Sequence, residues 1–322
     1  MIDVLVLGTG AMEPLPNRWL SSMLVRCRGE LTLFDCGEGT QIPWRTYGWG
    51  FRRVGAICLS HCHADHVAGL PGLLHSIANA RRTEPVALYG PPGTAQVVAG
   101  LRVIAPQLPY RLDVHEVKGG DRITLPGGLS GSVLTAQHRV PCIAYRVSIH
   151  RARAFLPEKA RALGVPLDQW GALQGGEPVR WNGKTVDPND VLGPPRPGLS
   201  LGFVTDTRPT PAMPQFFSGV NLLICEGTYG DNADLWKAEQ NAHMTFAEAA
   251  TLALTAGANA LLLTHFSPSI NDPHAWLANA TDIFRATTIA ESGMTLTLSF
   301  SDDDAAPVFG AAGVHAPGVA AG

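Results

Sequence analysis

The stretch His61-Cys62-His63-Ala64-Asp65-His66 puts three imidazoles and a carboxylate within six positions. It follows directly on an apolar run at 56–59, so the cluster falls where a strand gives way to a loop. Imidazole nitrogen suits borderline cations such as Zn²⁺, and Asp adds a hard oxygen. Four such groups at a buried strand end would stay unsatisfied without a cation, which makes a metal site the sharper reading over a solvated loop. Three more residues repeat the placement: His138 after 132–136, Asp206 after 201–205 and His265 after 260–264. Taken singly, each is an ordinary cap or turn residue. With the first cluster they make seven ligands, enough for two cations with a water between them if one ligand is shared. Glu226 ends another apolar run, 222–225, and His243 immediately precedes a capped helix. A Glu beside a His fixes its tautomer and raises its pKa. A protonated His can then serve as general acid for an alkoxide leaving group; the alternative is a surface pair.

Elements that could position these groups recur along the chain. Short apolar runs with Gly, Pro or Asp flanks at 4–7, 23–25, 31–34, 56–59, 86–89, 132–135, 143–147, 201–204, 222–225, 261–264 and 294–300 read as strands. Helical spacing is seen at 70–80, 94–104 and 246–256. The last carries a capping box, Thr245 with Glu248, and stops at Gly257. Strands mixed with helices in both halves imply an α/β sandwich. Residues 151–198 break the rhythm with a short helix at 158–163 among Gly and Pro turns, as an insertion that leaves the sandwich and returns to it. The organisation expected is one hydrolase domain over 1–304 with that insertion, then a disordered Ala/Gly/Pro-rich tail at 305–322.

At 322 residues and 45% hydrophobic content the chain can bury a sizeable core. A formal net charge of −3 excludes a generally basic, nucleic-acid-coating protein, so any RNA contact must rest on a local patch. The densest patch is Arg151, Arg153, Lys159 and Arg161, which either meets phosphates or forms a solvated helix surface diluted by nearby acids. No leader-like segment opens the sequence and no apolar run reaches the ~20 residues that span a bilayer. The expectation is a cytoplasmic protein, away from membranes, with its six cysteines reduced.

The His-x-His-x-Asp-His run, followed by a His, an Asp and a His at later strand ends, resembles the metallo-β-lactamase superfamily. Within it the chain resembles ribonuclease Z, the tRNA 3′-processing endonuclease, along nearly its whole length. Leu7-Gly8-Thr9-Gly10, Asp35-Cys36-Gly37-Glu38-Gly39-Thr40-Gln41, the stretch from Asp65 to Leu74, and Leu263-Thr264-His265-Phe266-Ser267 are similar to that family's motifs in the same order. Glu226-Gly227-Thr228 stands where the family has Glu-Ala-Thr, and His243-Met244-Thr245 where it has His-x-Thr.

The resemblance implies a four-layer αββα sandwich with an inserted, protruding arm. It implies two divalent ions per subunit, with Zn²⁺ the expected metal and Mn²⁺ or Fe as alternatives. One ion would be held by His61, His63 and His138, the other by Asp65, His66 and His265, with Asp206 bridging. Asp65 would orient the attacking water and take its proton, and the His243–Glu226 pair would protonate the departing 3′ oxygen. Pre-tRNA would be the substrate and a homodimer the working form. The arm over 151–198 would grip the tRNA, and Arg18 and Ser22 would lie in a loop that contacts phosphate. Two stretches depart from the family. Leu167-Asp168-Gln169-Trp170 replaces a Gly-Pro pair in the arm, and Pro268-Ser269-Ile270-Asn271 follows His-Phe-Ser where many members carry Arg and Tyr. These touch substrate choice, not hydrolysis, and leave open a small-diester phosphodiesterase or an esterase, lactonase or β-lactam hydrolase. A catalytically inert binding subunit would instead be missing some of the ligands.

Overall fold

A computed structural model describes residues 1–300; the tail expected at 305–322 lies outside the described residues. The chain divides into two compact units, one over 1–149 and from 199 on, the other over His150–Gly198.

The larger unit contains two seven-stranded mixed sheets. The first runs in the order Thr295–Leu298, Ile2–Gly8, Ser22–Cys27, Glu30–Phe34, Val54–Cys58, Val86–Gly90 and Leu112–Glu116. Its first three junctions are antiparallel and its last three parallel. The second runs Thr287–Ile289, Leu261–Thr264, Leu222–Glu226, Arg196–Val204, Ile143–Arg151, Leu129–Thr135 and Arg122–Leu125. Three of its junctions, from Arg196–Val204 out to Thr287–Ile289, are parallel.

Alternation along each strand assigns its two faces to different cores. Val4 and Val6 face the core between the sheets, while Leu5 and Leu7 face a core under the helices. Leu222 and Ile224 join the inter-sheet core, while Leu223 and Cys225 pack under the opposite helical layer. Sheets and helices therefore stack as α, β, β, α. At the centre, the Phe34 ring meets Tyr145 edge-on at 5.6 Å and Phe203 at 5.1 Å between centroids. Truncating such a residue to Ala costs about 3–5 kcal/mol.

The helices expected at 70–80 and 246–256 form at Leu70–Asn79 and Phe246–Ala256. The latter has its capping box between Thr245 and Glu248 and a left-handed Gly257 at its end. The helix expected over 94–104 stops at Leu101, and its last turn tightens to a 3₁₀ turn at Arg102–Ile104. The strand expected at 201–204 begins five residues earlier, at Arg196. The strand therefore takes in Pro197 and Gly198 from the expected insertion; Pro is tolerated near the start of a strand.

The His150–Gly198 unit has a core of its own around Ala160, Val165, Leu173, Val186 and Val191, packed by Phe155 and Trp170. It holds the helix Pro157–Ala162 and a two-stranded ribbon, Val179–Trp181 with Lys184–Val186. All six cysteines are free thiols. Among the described residues no helix is long and apolar enough to cross a membrane.

Candidate metal centre

Parallel strands end on the same side, and the chemistry-bearing residues sit at those ends. Val54–Cys58 leads into His61, His63 and the short helix Ala64–Val67, which carries Asp65 and His66. Arg196–Val204 leads to Asp206, Leu222–Glu226 ends on Glu226, and Leu261–Thr264 leads to His265. Leu129–Thr135, whose pairings are antiparallel, leads to His138. Asp35, Asp206 and His265 all hold positive φ, at 55°, 27° and 60°. Such backbone costs energy in a non-glycine residue and persists where the surroundings impose it.

Residues 61 to 265 converge into two clusters. In the first, His61 Nε2 and His63 Nδ1 are 3.0 Å apart, and His138 Nε2 lies 3.3 Å from the same His63 nitrogen. In the second, His66 Nε2 is 3.2 Å from His265 Nε2 and 3.4 Å from Asp65 Oδ2. Asp206 reaches both. Its Oδ2 is 3.6 Å from His61 and 3.8 Å from His138, while its Oδ1 is 3.3 Å from His66 and 3.0 Å from His265.

The donor set fits divalent cations on three observations. Ligands about 2.0–2.1 Å from a tetrahedral ion lie roughly 3.3 Å from each other, which is the spacing seen in both clusters. Asp206 Oδ1 is buried with no hydrogen-bond donor, a costly state that a cation would relieve. And the far nitrogen of four of the five rings is already committed. His66 Nδ1–H donates to Asp35 Oδ2 at 2.8 Å, His138 Nδ1–H to the Ala242 carbonyl at 3.1 Å, and His265 Nδ1–H to Thr228 Oγ1 at 3.1 Å. His61 Nδ1 lies 3.0 Å from Ser60 Oγ, which in turn donates to Asp35 Oδ2 at 2.8 Å. These partners fix the tautomers that leave Nε2 free to ligate.

The electrostatics are those of a buried, charge-dense site. Burial pushes His61 well below its ordinary value, with the neighbouring His66 adding to the effect. Burial would also lower His66, but Asp206 and Asp35 together outweigh it and hold His66 well up. Burial would raise Asp65, yet hydrogen bonds from His265 and His66 hold it well below the carboxylate range. Asp206 is held low in the same way by His265, His66 and His61 against its own burial.

Glu226 is fully buried and accepts from Thr207 N at 2.6 Å, Met244 N at 3.0 Å and Thr228 Oγ1 at 2.5 Å. His243 Nδ1 lies 3.2 Å from its Oε2. Burial would lower His243, but Glu226 outweighs it and the imidazole is pushed up to about 9. At neutral pH this His carries a proton. His63, Asp65, His138 and His243, together with Thr228 and Tyr229, border a cavity of about 280 Å³.

The other sequence candidates lie differently. Ser22 is 1% exposed and its hydroxyl donates to the Leu20 carbonyl. Arg18 Nη1 and Nη2 donate to the carbonyls of Ile270 and Asn271 at 2.7 and 2.9 Å, bracing the loop that departs from the family pattern. Arg153 is tied within its own unit, to the Gly193 carbonyl and Asn189 Oδ1. Lys159 and Arg161 are exposed, the latter with its guanidinium 5.4 Å from the Trp170 ring. Arg151 is half-buried in the same unit. Sequence reading gave no role to Asp35, Ser60, Thr228 or Arg208. Asp35 had a signal, an acid directly after the 31–34 strand; Arg208 shows its part only through contacts distant in sequence.

Comparison with known proteins places these features in context. A beta-lactamase superfamily domain model matches residues 32–162. The ribonuclease Z of Lachnoclostridium phytofermentans is 41% identical over 304 residues, covering 94% of this chain and all of that protein. The ribonuclease Z of Clostridium kluyveri is 42% identical over 303 residues, with the same coverage. Among solved structures, the short form of human tRNase Z aligns with a TM-score of 0.67 and 25% identity, covering 92% of this chain and all of that one.

Proposed function

Because the chain belongs to the ribonuclease Z family and has the metallo-β-lactamase fold, we propose that it is a metal-dependent endonuclease that removes 3′ trailers from tRNA precursors. The observation that carries the reading is Asp206, whose two oxygens each face a different histidine cluster. His61, His63 and His138 would hold one divalent ion, Asp65, His66 and His265 the other, and Asp206 both. Imidazole-rich sets of this kind suit Zn²⁺, with Mn²⁺ or Fe as substitutes. When bound, the ions supply Lewis acidity at the scissile phosphate and make water acidic enough to attack near neutral pH.

The chain's own residues do the rest. Asp65, kept ionised and anchored by a 2.8 Å hydrogen bond from Met12 N, orients the attacking water and accepts its proton. His243, protonated by virtue of Glu226, gives its proton to the 3′ oxygen that stays on the tRNA as its bond to the trailer's phosphorus breaks. Thr228 joins this pair to the metal ligands, donating to Glu226 while accepting from His265. The His150–Gly198 unit, with exposed Lys159 and Arg161, is the candidate RNA-gripping arm. We take the working form to be a cytoplasmic homodimer.

The test is a parallel assay of the Zn²⁺-loaded protein on a trailer-bearing pre-tRNA, bis-p-nitrophenyl phosphate and a cyclic nucleotide. Cleavage of the pre-tRNA after the discriminator nucleotide is expected. Turnover of the small diesters alone would move the assignment to a small-substrate phosphodiesterase.

A further inference from the structure

Two of the ligand-bearing loops each carry an arginine, and both arginines grip the short stretch 240–244 that holds His243. Arg139, next to His138, donates from Nη2 to the Gln240 carbonyl at 2.7 Å and to Asn241 Oδ1 at 2.9 Å. Arg208, two residues past Asp206, donates from Nη1 to the His243 carbonyl and to Glu248 Oε2, the latter at 2.9 Å, and from Nη2 to Glu248 Oε1. Between them, the Ala242 carbonyl takes the Nδ1–H of His138. The Arg208 backbone N–H donates to the Gln137 carbonyl at 3.0 Å, which ties the two loops together.

The gripped stretch needs holding. Ala242 sits in the left-handed region at φ 59°, which an alanine adopts only where its surroundings insist. Glu248 belongs to the same assembly, since it also accepts Thr245 N at 2.9 Å and so completes the cap of the helix that starts three residues after His243. The Arg208 and Glu248 side chains are 17% and 21% exposed. A forked, largely desolvated pair of this kind fixes geometry better than a surface ion pair. Lysine could keep the charge but not the fork that meets three acceptors at once.

We propose that Arg208, seconded by Arg139, is a positioning residue for His243, locking the peptide that carries this imidazole to the loop that carries Asp206. Arg208 acts through where His243 stands. The inference rests on the reading of His243 as general acid, and it makes the acid's placement depend on the loops that ligate metal.

The experiment compares R208Q, R208K and H243A as full-length, Zn²⁺-loaded proteins. For R208Q, kcat on pre-tRNA should fall roughly 30–100-fold, short of the ~10²–10⁴-fold that a general acid can contribute. KM should change by less than about threefold, and bis-p-nitrophenyl phosphate, whose leaving group needs no proton, should lose less than about threefold. R208K should recover part of the loss, and metal content should stay unchanged. In ¹³C-histidine NMR at one fixed pH, the ring signal absent from H243A should shift or broaden in R208Q while the ligand histidines hold theirs. An unmoved His243 signal, or equal losses on both substrates at full metal content, overturns the proposal. If R208Q is too unstable to assay, R208K reads the same quantities. Should H243A lose both substrates alike, the general-acid reading fails, yet the His243 signal in R208Q still decides the clamp.

Discussion

The metal centre and the His150–Gly198 unit both carry charged and polar groups, and they treat them in opposite ways. At the centre, His61, His66, Asp35, Asp206 and Glu226 are each at most 3% exposed, and nearly every polar atom has a partner. In the other unit Lys159 and Arg161 stand out in water over a core of five small or medium apolar residues. A buried polar network tolerates few alternatives, because each missing partner leaves a desolvated group behind. An exposed basic surface tolerates many. The difference teaches where precision is needed: bond-breaking demands fixed atoms, whereas holding a polyanion demands charge in roughly the right place.

The sharpest way to break the comparison is D206A. It removes the one carboxylate common to both clusters, so pre-tRNA and aryl-diester cleavage should both fall by roughly 10³-fold or more, beyond the 10–100-fold typical of losing an outer partner. Elemental analysis should find at most one tightly held ion per chain; two retained ions and near-normal turnover would refute the bridging role. Next in size is deletion of residues 152–195 with a short turn in their place. Pre-tRNA cleavage should drop by about 10²-fold or more through KM as the arm's hold on phosphates disappears, while bis-p-nitrophenyl phosphate turnover changes little. Equal losses on both substrates would remove the arm's role.

D35N should weaken metal affinity by ~10–100-fold, measured by competition with a chelating dye, because His66 loses the acceptor that orients it. If His243 is the general acid proposed, it acts while protonated, so pre-tRNA turnover should hold up to about 9 and decline as pH rises through that value. E226Q deletes the charge that raises it, so the declining limb should move to lower pH; an unmoved limb would assign it to another group. The smallest effect belongs to the K159A/R161A pair. Binding of pre-tRNA should weaken by a few-fold and the slope of log K against log salt should flatten by roughly one or two, about one for each phosphate no longer neutralised.

Much of the centre was legible because its residue types are rare and its spacing is short: His61 to His66 spans one loop. His138, Asp206 and His265 were legible by a weaker rule, a ligand type just past an apolar run; for Asp206 and His265 it works because parallel strands deliver their ends to one side. The helix Phe246–Ala256 could be read to the residue from its capping box and terminal Gly257. Other features resisted. Leu112–Glu116, Arg122–Leu125 and Thr287–Ile289 are edge strands of three to five residues with mixed polarity, too short for their pattern to stand out. Ser22 looked like a loop hydroxyl but begins a buried strand. Arg208 and Thr228 gave no sign, since what each does depends on partners that only folding supplies. The remaining histidines behave ordinarily. His115 stacks on Tyr89 and His274 pairs with Glu291, while His315 lies outside the described residues.

Ile143–Arg151 and Arg196–Val204 are neighbours in the second sheet, and everything from 152 to 195 hangs between them. Adjacent strands lie only ~4.8 Å apart, so the excursion enters and leaves through a doorway one strand spacing wide. None of the seven proposed metal ligands lies beyond that doorway. Lengthening, shortening or exchanging the excursion therefore leaves every ligand-bearing segment at its own address in the chain, and new substrates can be sampled without re-inventing the hydrolytic engine.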